Sequence, residues 1–141
     1  MVQVTLVDYA LGGLPTSMPA GTRLSVVNNA EEELHEVVAF RLPDDEDRSV
    51  ADLVGLPPDE LGAVLGEPGT VLLAEPGGPQ IGAVGDGTLA EPGRYALLCF
   101  IPVGASPQEY LAAAAEGDGP SQVAGGPPHF VQGMYAEVAV D

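Results

Sequence analysis

The chain has 141 residues, 45% of them hydrophobic, which is long enough to bury one domain's core and too apolar for a disordered acidic tail. Its formal net charge is −17, and its only basic side chains besides two histidines are four arginines. That balance excludes nucleic acid, whose phosphates must be neutralised by Lys and Arg, and disfavours anionic membrane surfaces.

Taken in chain order, Val2–Leu11 alternates apolar and polar positions and reads as a half-buried strand. Pro15 and the Pro19-Ala20-Gly21 segment mark loops, and Thr22–Asn28 resumes a strand. Asn28-Asn29-Ala30 is a turn signal, followed by the β-branched and aromatic run Leu34–Leu42. Ser49 can cap a short helical turn through Val54, and Pro57-Pro58 opens a second, Asp59–Leu65, with Leu61, Val64 and Leu65 on one face. Val71–Leu73 and Ile81–Val84 are short strand candidates, and Glu91-Pro92-Gly93 is a tight turn feeding the apolar run Arg94–Ile101. Ser106-Pro107-Gln108-Glu109 matches a capping box, so the Ala-rich segment to Glu116 should be helical, with 117–128 a loop and Met134–Val140 a closing strand. The 19 glycines and 14 prolines fall between these runs, as turns joining short strands. This pattern predicts an all-β fold, an antiparallel Greek-key β-sandwich forming one domain over 1–141, with helical insertions at about 49–66 and 105–117.

No apolar stretch approaches the ~18–20 residues needed to span a membrane. Met1 leads directly into a strand-like run rather than a signal peptide, so the protein is either cytosolic or exported with its leader removed. A single cysteine excludes an internal disulfide.

Four residues carry the chemistry: His35, Cys99, His129 and Met134. They comprise the only cysteine, both histidines and the one methionine after Met18, and they stand near strand–loop junctions. Singly, each has an ordinary structural reading: a satisfied polar histidine, a small buried thiol, a core methionine. Together, a thiolate, two imidazoles and a thioether form the soft, mixed set that suits copper cycling between Cu(I) and Cu(II). His129 and Met134 bracket Gln132-Gly133, where glycine lets the backbone pass close to a metal. A hydrolytic zinc centre would need three N/O ligands and an open position, which His35, His129 and Glu36 offer only on paper. The chain has no Gly-x-Ser-x-Gly elbow and no phosphate-binding loop with its lysine.

On these residues the chain resembles a cupredoxin of the plastocyanin/azurin type, a type-1 blue copper protein. Leu24–Phe40 is similar to the strand–Asn–turn–His–strand segment of the first ligand, Arg94–Pro102 to the strand ending in the ligand cysteine, and Pro128–Val140 to the segment holding the second histidine, the Gly-Met pair and the final strand. The stretch 42–89 carries little of the resemblance. The likeness implies one type-1 copper ion, with His35, Cys99 and His129 as strong equatorial ligands and Met134 as the weak axial one. It implies electron transfer rather than enzymatic catalysis, with His129 as the exposed exit for the electron and a redox protein as partner. That partner could be basic, steered by Glu31–Glu33 and Asp44–Asp47, although a merely solvated acidic surface accounts for those residues too. The family's habit implies an extracytoplasmic location, whether periplasmic, secreted or membrane-anchored.

Two departures stand out. In familiar members the cysteine and second histidine share one short loop, whereas here 29 residues separate Cys99 from His129. Such an insertion could bulge from a closed base, cover the exit edge, dock a partner or pack in a homo-oligomer. Plastocyanins also carry Asn after the first histidine, where this chain has Glu36, a group that would lower the potential or act as a ligand. Readings that compete with electron transfer are a copper chaperone or buffer using the same ligands, and a metal-free cupredoxin-like interaction module.

Overall fold

The computed structural model describes residues 1–115 and 127–141. Among these, the strands are β1 (Val2–Val7), β2 (Ala10–Gly12), β3 (Ser17–Met18), β4 (Thr22–Asn28), β5 (His35–Arg41), β6 (Thr70–Ala74), β7 (Ile81–Val84), β8 (Thr88–Leu89), β9 (Gly93–Leu98) and β10 (Tyr135–Val140). The helices are α1 (Val50–Leu53), α2 (Pro58–Leu65) and α3 (Pro107–Ala115). The strands form two sheets, ordered β2-β1-β4-β8 and β3-β10-β9-β5-β6-β7.

A mostly-β architecture with helical insertions is what the sequence predicted, with two corrections. The sheets are mixed rather than purely antiparallel: β1 runs parallel to β4, and β3 parallel to β10. Neither pair is consecutive in the chain, so no hairpin turn forces them antiparallel. The run Val2–Leu11 is also two strands, not one. The chain reverses at Asp8-Tyr9, so that Val7 pairs with Ala10, and Tyr9 takes a left-handed φ of 66°, unusual for a residue with a side chain. The turn interrupts apolar alternation without a glycine or proline, so the pattern did not announce it.

The central strands β5 and β9 of the six-stranded sheet are buried on both faces, which explains why they read as almost continuous apolar runs. Val37 and Ala39 of β5, with Tyr95 and Leu97 of β9, pack into a core against Val4, Leu6, Leu24 and Val26 of the other sheet. The alternate residues Val38, Phe40, Ala96 and Leu98 pack beneath Val50, Leu53, Leu61 and Leu65 of α1 and α2. Because Val38 pairs with Leu98 and Ala39 with Leu97, His35 and Cys99 fall on the inner, sheet-to-sheet side. Met134, one residue before β10, belongs to the same inner core.

The helix α1 starts as expected, with Ser49 Oγ accepting from the Asp52 N–H at 3.1 Å. A second cap comes from far away: Glu137 of β10 accepts the Val50 N–H at 3.0 Å and an Arg94 N–H at 3.2 Å. Arg94 also donates to the carbonyls of Glu46 and Arg48, so one guanidinium fastens the acidic loop to the sheet. Arg94, and then the Val50 N–H, hold the Glu137 carboxyl below its usual range. A depressed carboxyl stabilises the fold above its unfolded pKa and loses that contribution as pH falls through its folded value. Glu137→Gln should therefore cost ~0.5–1 kcal/mol at pH 7, discounted for the pair's partial exposure. The gap to the parent, measured by urea unfolding, should close at pH 3.

Candidate metal centre

The backbone delivers the ligand candidates from three directions. Asn28 ends β4 and grips the next loop: its side-chain amide donates to the carbonyls of Glu33 at 2.9 Å and Ala74 at 2.8 Å, and its Oδ1 accepts from the Ala30 N–H at 2.9 Å. That grip fixes where β5 starts, and His35 is its first residue. Cys99 follows β9 and is clamped on both sides of its peptide. Its N–H donates to the Met134 carbonyl at 3.2 Å and its carbonyl accepts from the Phe130 N–H at 2.9 Å. The His129 N–H reaches the Ile101 carbonyl at 2.9 Å. His129 opens a 3-10 turn, His129–Gln132, ended by Gly133 at φ +108°. That backbone conformation suits only a glycine comfortably, and it lets the chain turn directly into Met134 and β10.

The long separation between Cys99 and His129 leaves their closeness intact. Val103 N–H donates to the Pro127 carbonyl at 2.9 Å, and Pro102 bridges to Pro128, closing the insertion at its base. The helix α3 lies within it, and the Glu109 N–H points to Ser106 Oγ at 3.5 Å, the Ser half of the expected cap. The expectations for Glu116 and for the loop over 117–126 fall outside the described residues.

The side chains of His35, Cys99, His129 and Met134 belong to fully buried residues, each 0% exposed. The two imidazoles face each other through Nδ1, 3.1 Å apart, and His129 Nδ1 lies 3.4 Å from Cys99 Sγ. One donor atom from each of His35, Cys99 and His129 lies within 4.8 Å of the others, and among the described residues no other His, Cys, Asp or Glu set gathers so. Donors bound to one first-row ion at about 2.0–2.3 Å stand roughly 3.3–3.8 Å from one another, and the 3.1 and 3.4 Å separations lie close to that range. Nitrogen, nitrogen and thiolate sulfur are also the donor set that selects copper or zinc. Burial holds both imidazoles below the ordinary histidine pKa, against the opposing pull of Asp8 on His35 and Glu33 on His129. Both are therefore neutral at pH 7, the form that binds metal. Burial, and next the Glu36 carboxyl, push the Cys99 thiol well up, so metal entry must release its proton.

Two functional expectations need correction. His129 is not an exposed exit. Tyr9 packs edge-on against its ring, with centroids 5.2 Å apart, and Glu33 Oε2 lies 3.4 Å from its Nε2. Glu36 is not part of the donor cluster. Its carboxyl turns away to accept from the Phe100 N–H at 3.3 Å and the Tyr110 hydroxyl at 3.2 Å, while its own N–H points to Cys99 Sγ at 3.5 Å. The insertion thus sends Tyr110 of α3 to the back of the site. Sequence reading missed Asp8, Tyr9 and Tyr110, and treated Glu33 as one of three surface acids. Only the stray Asp8 inside an apolar alternation hinted at a turn.

Burial pushes the Glu36 carboxyl up to about 7, opposed by the Phe100 and Tyr110 hydrogen bonds. In the metal-free chain the folded state then keeps a proton that the unfolded state releases between the ordinary value near 4.5 and about 7. Stability contributed by this group therefore falls as pH rises across that window, by roughly 3 kcal/mol in all. Glu36→Gln retains an acceptor for Phe100 and lacks this penalty. In urea unfolding of the metal-free proteins, the variant should gain on the parent between pH 4 and pH 8.

No protein-family model matches the sequence, and no curated protein matches it. Among solved structures, the fold is similar to the dithionite-reduced auracyanin of the photosynthetic bacterium Roseiflexus castenholzii, with a TM-score of 0.52 and 19% identity over 99% of this chain and 94% of that one. Auracyanin B matches with a TM-score of 0.41 and 21% identity, over 99% of this chain and 87% of that one. Auracyanin is a cupredoxin, and the two mixed sheets, with His35, Cys99 and His129 gathered between them, give this chain a cupredoxin-like fold.

Proposed function

We propose that this protein is a single-electron carrier whose cofactor is one type-1 copper ion, with His35, Cys99 and His129 as equatorial ligands and Met134 as the axial one. The observation that carries the reading is the closed convergence of two Nδ1 atoms and one Sγ in a fully buried cluster. Copper would supply the Cu(I)/Cu(II) couple; the chain's part is to keep the donors in one arrangement in both states. The rigid means for this are on hand. Cys99, His129 and Met134 are cross-linked through their own backbones, and His35 starts a strand hydrogen-bonded on both sides.

A hydrolytic zinc centre keeps an open position for water or substrate. Here the ligands are buried beneath Tyr9 and the sheet core, which favours electron exchange over catalysis and over rapid hand-off of the metal by a chaperone or buffer. Asp8, Tyr9 and Glu33, which contact the two imidazoles, also line an acidic cleft with Glu31, Glu32 and Ser106. It suits a basic redox partner, whose approach the −17 charge would accelerate at low salt. Among the described residues no helix is long and apolar enough to cross a membrane. We place the protein outside the cytoplasm, in keeping with copper supply to carriers of this fold.

Adding Cu(II) to the metal-free protein should give one equivalent of bound copper and an intense thiolate-to-copper absorption toward the red end of the visible. Cys99→Ser should remove that band while circular dichroism shows the fold retained. A colourless wild-type protein, or a band that survives Cys99→Ser, refutes the site. Reversible voltammetry separates a carrier from a copper store, which need not hold one geometry through the redox cycle.

A further inference from the structure

Each histidine of the cluster presents one ring nitrogen to the centre and the other to a carboxylate. Asp8 Oδ1 lies 3.0 Å from His35 Nε2, and Glu33 Oε2 lies 3.4 Å from His129 Nε2. The second pair is close but not directed as a hydrogen bond, and Nε2 of His129 makes none among the described residues. The carboxylates come from different loops, and each is held independently of the imidazole it faces. Asp8 sits in the tight β1–β2 turn beside Tyr9, with its left-handed backbone. The backbone of Glu33 is held by the Asn28 side chain, and its Oε1 accepts the N–H of Gly104 from the insertion.

A neutral imidazole carries one proton, and an ionised carboxylate only accepts. A carboxylate at Nε2 therefore selects the tautomer with hydrogen on Nε2 and leaves Nδ1 bare. Two bare Nδ1 atoms 3.1 Å apart repel through their lone pairs unless a cation, or the Cys99 thiol hydrogen, lies between them. The arrangement has the form of a carboxylate–histidine pair behind each metal ligand, which fixes ring orientation and raises ligand basicity.

We propose that Asp8 and Glu33 are positioning residues that hold His35 and His129 with hydrogen on Nε2, aim both Nδ1 lone pairs at Cys99 Sγ before metal arrives, and favour the more highly charged Cu(II) state. The tautomer part stands on the geometry alone; the copper part rests on the function proposed above. Both carboxylates also line the acidic cleft, so the group that orients each ligand from behind is also the group that a partner in the cleft would touch.

The test uses the full chain in two measurements. Long-range 1H–15N correlation on the metal-free protein at pH 7.5 should show both rings protonated on Nε2, with mixed tautomers for His35 in Asp8→Ala and for His129 in Glu33→Ala. A wild-type ring protonated on Nδ1 overturns the proposal for that pair. Second, Asp8→Asn and Glu33→Gln preserve shape and remove charge. Each should weaken Cu(II) binding by about 10–100-fold. Each should leave Cu(I) binding nearly unchanged, and a tenfold difference raises the potential by about 59 mV. Equal losses of Cu(I) and Cu(II) affinity with a lowered melting temperature would mean a purely structural role and overturn it, as would unchanged affinities. A wild-type protein that binds no copper fails the proposed function and the copper part with it; the tautomer measurement still decides the positioning claim.

Discussion

The peptide of Cys99 is the constraint on which the site depends. Its N–H is spent on Met134 and its carbonyl on Phe130, so a single residue at the end of β9 sets the position of the entire 129–134 segment. Antiparallel pairing of β9 with β10 then carries the same register down the sheet, from Tyr135 opposite Leu98 to Val140 opposite Gly93. Against this frame the length of the insertion costs little, because loop-closure entropy grows slowly with length. Its ends are tied at Val103 and Pro127, outside the contact between His129 and Ile101.

Around that frame the fold manages a conflict between burial and polarity. Placing two imidazoles, a thiol and a carboxyl in a core would leave costly unsatisfied groups if nothing answered them. Glu36 is answered by Phe100 and Tyr110 and His35 by Asp8, while His129 Nε2 has the Glu33 carboxylate 3.4 Å away without a hydrogen bond. The two Nδ1 atoms and the sulfur that face one another are the set a metal ion would satisfy. The insertion takes part twice, through Gly104 on Glu33 and Tyr110 on Glu36, so it braces the site from two sides.

The acidity of the chain acquires a local meaning as well. Most of its carboxylates are exposed and consistent with simple solvation, but Asp8 and Glu33 lie against the imidazoles of the candidate ligands His35 and His129. An acidic rim set directly behind the proposed redox site would connect the field that steers a partner with the groups that tune the metal. Tyr9 packs edge-on against the His129 ring and also lines that cleft, so no bare histidine edge faces it.

The sequence by itself determined the strands of the core, because apolar alternation and β-branched runs report directly on burial: β4 matches Thr22–Asn28 residue for residue, and Ser49 caps its helix as its chemistry requires. It also singled out the donor candidates, because one cysteine and two histidines leave little choice. It could not show that Val2–Leu11 folds back on itself, because the turn at Asp8-Tyr9 carries no glycine or proline and breaks the apolar alternation only at Asp8. Nor could it tell Glu33 from Glu31 and Glu32, or reveal that Tyr110 reaches Glu36. Those pairings join residues 71 to 96 positions apart, where no local pattern operates and only the packing of strands, turn and insertion decides which carboxylate faces which ring.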